Sequence, residues 1–240
     1  MMSFSRALVN FIFPPKCLLC GQTLEDALDD RPCPCCLSQI KFLSHPRCPR
    51  CGLGFVTPAE DDHLCSGCIT AERFFTTARA IGSYEGLMVE IISRFKYQGA
   101  SRLAKPLSTL LSEYKDPELP FPEFDLILPV PLHPQRLRKR GFNQSLLLAR
   151  RVSRQHSIAL DFKSLQRIRH TQPQTELSGA ERQKNIHGAF EIRNSFVIEG
   201  KRLLLIDDVF TTGATVQECS KVLLKAGAKR VDVLTLARVL

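Results

Sequence analysis

The chain changes its hydrophobic rhythm near residue 76. Before it, apolar positions are sparse and broken by Cys, Pro and Gly; after it, they recur with the periods of strands and helices. Ile81 to Tyr84 reads as a strand. Leu87, Ile91, Ile92 and Phe95 share one face of a helix ending at Gly99, and Leu103, Leu107, Leu110, Leu111 and Tyr114 mark another. Pro-rich residues 116–122 break the chain before a strand over 125–130, and a helix follows from Phe142 to about Gln155. The connection 158–200 is irregular, with strand-like pieces at Phe190–Ile192 and Phe196–Ile198 and a charged turn around Arg182. The sharpest unit closes the chain: an apolar strand Arg202–Ile206, a polar turn, a helix Thr215–Ala226, Gly227, and a strand Val231–Ala237. Strand, helix and strand of these lengths predict a right-handed βαβ unit in a parallel sheet. Residues 76–240 therefore read as an α/β domain and 1–75 as a separate Cys-rich module.

No apolar run approaches the roughly 20 residues that a membrane-spanning helix requires. The opening stretch MMSFSRALVNFIFPPK has one Arg and too short an apolar core for a secretory signal, so the expected location is the cytoplasm. A short helix packed on the body, or lying on a membrane surface, is the other reading of that stretch.

Composition bounds the function classes. In 240 residues, 44% hydrophobic and 24% charged, there is enough apolar material for an enzyme-sized core without cross-links. Thirty-three Lys and Arg against 24 Asp and Glu give +9, which favours anionic partners: phosphorylated metabolites, nucleic acid or an acidic surface.

The cysteines are unevenly placed. Nine of ten lie between positions 17 and 68, as Cys17/Cys20, Cys33/Cys36, Cys48/Cys51 and Cys65/Cys68 with Cys35 as an extra member. Each CxxC sets two thiolates on one tight turn, and two such turns complete a tetrahedral sulfur site. A disulfide framework requires an oxidising compartment, and a thioredoxin-like motif uses a single CxxC opening a helix, so one or two structural zinc ions are the expectation. In-order pairing gives Cys17, Cys20, Cys33 and Cys36 at one site and Cys48, Cys51, Cys65 and Cys68 at the other. A cross-braced pairing fits the spacing too, and Cys35 either stays free or replaces Cys36. Four thiolates per ion leave no open position for catalysis. Cys219 stands alone on an otherwise packed helix and reads as core.

Charge is equally uneven. Between Asp125 and Asp161 there is no acid, while Arg136, Arg138, Lys139, Arg140, Arg150, Arg151 and Arg154 are all basic. The last three fit a solvated helix face. The first four fall on an expected loop directly after the strand at 125–130, where open α/β sheets meet their ligands.

The chemistry concentrates in Ile206-Asp-Asp-Val-Phe-Thr-Thr-Gly-Ala-Thr215. Thr211 to Thr215 form a small-residue turn at a helix N-terminus, where unpaired amides and the helix dipole attract a phosphate and Gly213 permits close approach. Two adjacent carboxylates at the end of a buried strand need partners, such as ribose hydroxyls or a magnesium-bound ligand. GxxxxGK[ST] and GxGxxG are both absent, so triphosphatase and dinucleotide folds find no support.

That segment resembles the phosphoribosyl-pyrophosphate (PRPP) signature of type I phosphoribosyltransferases. With the cysteine pairs, Phe95–Gly99, Val130–Leu132, Arg138–Gln144, Thr171, Gln174, Leu177, Arg182, Asn185 and Ala189–Phe190, the chain from about residue 17 onward is similar to the ComF/GntX family. The resemblance implies a type I phosphoribosyltransferase-like parallel sheet flanked by helices, behind a small double zinc ribbon. It implies that Asp207 and Asp208 bind the ribose diol and that Thr211, Thr212, Gly213, Ala214 and Thr215 bind the 5′-phosphate. Arg138, Lys139 and Arg140 become a mobile loop over pyrophosphate, with Mg²⁺ held mainly by PRPP itself. Lys96, Arg182 and Asn185 share in the family's motifs without a derivable role. With the chain ending at Leu240, the acceptor-binding hood is expected from residues before about 125. The resemblance carries a second class of function, an accessory factor of DNA uptake that binds single-stranded DNA or a competence ATPase. Few aromatics are suited to base stacking, with no Trp and three Tyr.

Overall fold

The computed structural model of the chain describes residues 13–24, 32–55, 61–97, 100–171 and 185–240. The opening stretch to residue 12, together with Gly99, Gln174, Leu177 and Arg182, lies outside them. Strands β1 (Ala78–Ser83), β2 (Leu126–Pro129), β3 (Ala159–Leu160), β6 (Arg202–Phe210) and β7 (Arg230–Arg238) make one parallel sheet in the order β1-β7-β6-β2-β3, while β4 (Leu165–Arg167) and β5 (Phe190–Ile192) pair antiparallel beside it. The continuous apolar run of β6 follows from burial on both faces. Leu204 and Ile206 join a core with α3 (Gly86–Tyr97), α4 (Ala104–Ser112) and α6 (Gln144–His156); Leu203 and Leu205 join another with α7 (Ala214–Lys225).

The two cores position the site. β2 crosses through α6 to β3, and β6 crosses through α7 to β7, so the two connections leave in opposite directions from adjacent strands. Right-handed crossovers then put α6 and α7 on opposite faces, opening a crevice at the carboxyl ends of β2 and β6.

The Cys-rich part is built twice on one plan. Cys17 N donates to Gln22 O (2.7 Å) and Gly21 N to Cys17 O (2.8 Å); Cys48 N donates to Leu53 O (2.8 Å) and Gly52 N to Cys48 O (2.8 Å). The second pair of each half opens a single helical turn, α1 (Pro34–Ser38) or α2 (Ser66–Thr70). Ala78 N donates to Arg50 O (2.7 Å) and Leu43 N to Ile81 O (3.0 Å), tying both halves to β1. Arg79, 2% exposed, reinforces this seam: it donates to Asp116 Oδ2 (3.1 Å) and Pro49 O (2.9 Å).

Two elements differ from the sequence expectation. The basic run after β2 is not a loop but a helix, α5 (Pro134–Arg140), started by the His133 ring accepting from Gln135 N (3.3 Å) and stopped by Gly141 at φ +80°. Residues 196–198 do not form a strand. Ser195–Val197 is a 3₁₀ turn with Phe196 88% exposed, because the connection leaves the sheet there.

Candidate functional site

The cysteines gather in order, not crossed. Cys17, Cys20, Cys33 and Cys36 form one cluster and Cys48, Cys51, Cys65 and Cys68 the other, each with its Sγ atoms within 4.8 Å of one another. Sulfur separations of 3.9 Å (Cys17–Cys36), 3.6 Å (Cys20–Cys33) and 3.6 Å (Cys51–Cys65) match the roughly 3.8 Å edge of a tetrahedron with Zn–S bonds of about 2.3 Å. Cys36 N and Cys51 N point at Cys33 Sγ (3.4 Å) and Cys48 Sγ (3.5 Å). The sites therefore fit structural zinc. Cys35 is exposed and outside the cluster, while Cys36 is buried within it; Cys219 is buried in the core.

The crevice at the carboxyl ends of β2 and β6 is a cleft of about 890 Å³. Asp207, Asp208, Thr211, Gly213, Ala214 and Thr215 line it from β6 and the start of α7. Gly213 caps α7 at φ +78°; a Cβ there would lie 2.5 Å from Phe210 Cζ, so only glycine fits. Thr212 does not line the cleft. Its Oγ1 accepts from Ala214 N (3.4 Å), holding the turn that presents the first-turn amides of α7.

The acids are individually partnered. Ser145 Oγ donates to Asp207 Oδ1 (2.9 Å), which also accepts from Asp208 N (2.9 Å). Lys96 Nζ, from α3, lies 2.9 Å from Asp208 Oδ2. Burial and the neighbouring Asp208 charge push Asp207 up to about 7. Burial also works against the Lys96 charge, but Asp208 and then Asp207 outweigh it and hold that ammonium above the ordinary lysine range.

The opposite wall is basic. Arg136, Lys139 and Arg140 line the cleft, whereas Arg138 does not, because positions 136, 139 and 140 share a helix face and 138 points elsewhere. Arg140 stacks over Tyr97 at 4.9 Å and donates to Gln144 Oε1 (3.1 Å). Arg167, 7% exposed, donates to Thr171 Oγ1, whose carbonyl accepts from Arg136 (2.8 Å). Burial, then the Arg136 charge, lower the Arg167 guanidinium to about 10, and among the described residues it has no carboxylate within ion-pair distance. Tyr84, Ser93, Lys96 and Tyr97 line the cleft from the part of the chain before residue 125. Sequence reasoning set Arg136 in the basic segment at the ligand end of the sheet without assigning it a site role, and left Arg167 out altogether. Helical spacing within the basic run carries the signal for Arg136; none carries it for Arg167, which the β4–β5 pair brings in from outside every motif.

An acid-rimmed, amide-edged crevice at a parallel-sheet switch point, behind paired Cys₄ sites, defines a phosphoribosyltransferase-type domain joined to a double zinc ribbon. Residues 8–69 match the double zinc ribbon domain and residues 143–240 the phosphoribosyl transferase domain. The chain is 34% identical over 239 residues to competence protein F of Haemophilus influenzae, covering 96% of this chain and 100% of that protein. It is 32% identical over 237 residues to competence protein ComFC of Streptococcus pneumoniae (93% and 100% covered), and 34% identical over 199 residues to DNA utilization protein YhgH of Escherichia coli K12 (80% and 84%). The chain belongs to the ComF family. No described helix is long and apolar enough to cross a membrane.

Proposed function

We propose that the cleft binds PRPP with magnesium, and that the protein is a phosphoribosyltransferase or PRPP-binding protein serving DNA uptake in the cytoplasm. The observation that carries this reading is the cleft's division into an acidic rim, an amide-edged turn and a basic wall. The turn Thr211–Thr215 takes the 5′-phosphate: helix amides and hydroxyls donate to its oxygens, and Gly213 lets it approach the backbone. Asp207 and Asp208 accept from the ribose hydroxyls, with Lys96 paired to Asp208. Lys139 and Arg140, joined by Arg136 and Arg167, face the pyrophosphate; Arg138 on the outer side of α5 meets it only if the helix shifts. Magnesium would enter with the ligand beside Asp207 and Asp208 and would supply charge neutralisation for the leaving group. Transfer breaks the C1–O bond with oxocarbenium character, so these residues act by stabilising departing pyrophosphate and excluding water. Tyr84, Ser93 and Tyr97 supply the acceptor side. The link to DNA uptake rests on the names of the competence and DNA utilization relatives.

The accessory reading draws on one observation: α5 buries none of its residues and carries four basic side chains, of which Arg138 and Lys139 are exposed and Arg136 and Arg140 half-exposed. Single-stranded DNA held there dissociates steeply as salt rises, whereas PRPP binding depends on magnesium. Thermal melting with PRPP tests the main reading. A ligand at 100 times its Kd stabilises by about 2.7 kcal/mol; the expected result is a melting temperature raised by PRPP with Mg²⁺ and unmoved by PRPP with EDTA-treated buffer. No rise in either condition overturns it.

A further inference from the structure

Arg238, at the end of β7, is 7% exposed, and among the described residues no carboxylate lies within ion-pair distance of it. Burying an unpaired guanidinium is costly, so its surroundings must compensate. Two contacts do so, and they lead in opposite directions. Toward the Cys-rich part, Arg238 Nη1 donates to the carbonyl of Cys51 (2.5 Å), a member of the second Cys₄ cluster. With zinc held by its four thiolates that cluster would carry a formal charge of −2 and would supply the counter-charge the guanidinium otherwise lacks. Toward the cleft, the guanidinium lies over the Phe210 ring at 4.5 Å. That ring sits directly beneath Gly213, at the distance that excludes any side chain there, and packs edge-on against Phe75 (5.9 Å). Val239 N donates to Phe210 O (3.0 Å), closing the same corner from β7.

We propose that Arg238 is a positioning residue that couples the second Cys₄ site to the anion-binding turn, through the Cys51 carbonyl on one side and the Phe210 ring on the other. The zinc ribbon then acts on the cleft as well as holding itself together. Metal at the second site fixes Cys51, Cys51 fixes Arg238, and Arg238 fixes the ring against which the Gly213 turn rests. Among the described residues the ribbon contributes no side chain to the cleft lining, and it still controls the cleft's geometry. By linkage the effect is reciprocal in binding free energy: a ligand that holds the turn also tightens the second site's hold on its metal, which release to a chelator reads. The ligand arm of this inference rests on the PRPP reading, and the turn arm does not.

The test uses the full-length, zinc-loaded chain as wild type, Arg238→Met and Phe210→Leu. Amide hydrogen exchange is read without any ligand at Ala214 and Gln217, whose amides donate to Thr212 Oγ1 (3.4 Å) and Gly213 O (2.8 Å) and so report on the turn. Exchange is expected to be several-fold faster in both variants than in wild type, while the β6 amides Leu203–Ile206 stay protected and report that the sheet is intact. Unchanged exchange at the turn overturns the proposal. Zinc release to a chromophoric chelator is then followed with and without Mg²⁺-PRPP. In wild type, saturating PRPP is expected to slow one of the two release phases about fivefold or more, the low end of typical coupling, and in Arg238→Met to slow neither. PRPP that binds by calorimetry yet slows neither phase in wild type, or slows one equally in the variant, overturns the coupling alone. Failure of PRPP to bind at all overturns the functional reading and leaves the exchange result to decide the inference.

Discussion

Lys96 Nζ stands 2.9 Å from Asp208 Oδ2, joining the last turn of α3 to the acidic pair at the end of β6. The pair is largely buried, with side chains 18% and 11% exposed, so removing one partner strands the other away from water. Replacing Lys96 with Met leaves Asp208 unpaired beside Asp207. We expect a loss of about 3–5 kcal/mol in urea unfolding, the range for breaking a buried pair. Lys96→Met/Asp208→Asn should recover most of it, since no charge is then stranded. Equal losses in the single and double variants would contradict this account.

Asp207 gives stability a pH dependence with a definite sign. Its folded-state pKa is raised, to about 7, above the ordinary 3.8, so the folded state binds the proton more tightly than the unfolded chain. Its contribution is most favourable below about pH 4 and declines as pH rises through 7. Asp207→Asn should therefore melt higher than wild type at pH 8, by the equivalent of about 1–2 kcal/mol once partial exposure is discounted. The difference should shrink steadily toward pH 5. Comparing the two proteins at each pH cancels proton effects on the cysteines. A difference that stays constant from pH 5 to pH 8 would assign it to something other than this carboxyl.

Gly213→Ala tests the turn itself. The added methyl meets the Phe210 ring and forces a side chain into positive φ, for a cost of about 1–3 kcal/mol. We expect weakened PRPP binding together with a lowered denaturation midpoint. A variant of unaltered stability and affinity would show that the ring yields freely.

Zinc content separates the neighbouring cysteines. Cys35→Ser should keep two zinc ions per chain and Cys36→Ser only one, measured by atomic emission on purified protein, because only Cys36 lies in the cluster. The opposite pattern would require the first site to be rebuilt around Cys35.

Much of this architecture is legible in the sequence where burial is two-sided or chemistry is local. The run Leu203–Ile206 announces a central strand because both faces are covered, and the TTGAT turn announces a glycine-started helix with its first amides presented to the cleft because all its groups are contiguous. The CxxC spacing likewise gives both clusters, although only the folded chain chooses in-order pairing. The basic segment misleads because α5 has no buried face, so no hydrophobic stripe marks it as helix; its cap residues His133, Pro134 and Gly141 are the only local sign. β6 runs on to Phe210, past the expected end at Ile206, since parallel pairing with β7 continues through Asp207 and Val209. Lys96 reaches Asp208, and Arg167 reaches the wall that holds Arg136, across more than 25 residues of intervening chain, so no short window of sequence brings them together.

The central claim is that the acidic pair and the α7 turn hold a ribose phosphate. Calorimetric titration of PRPP into zinc-loaded wild type and Asp207→Asn/Asp208→Asn, with and without Mg²⁺, tests it most directly. The account predicts magnesium-dependent binding to wild type and none to the double variant. Equal affinity in both proteins, or no binding to wild type, would contradict it.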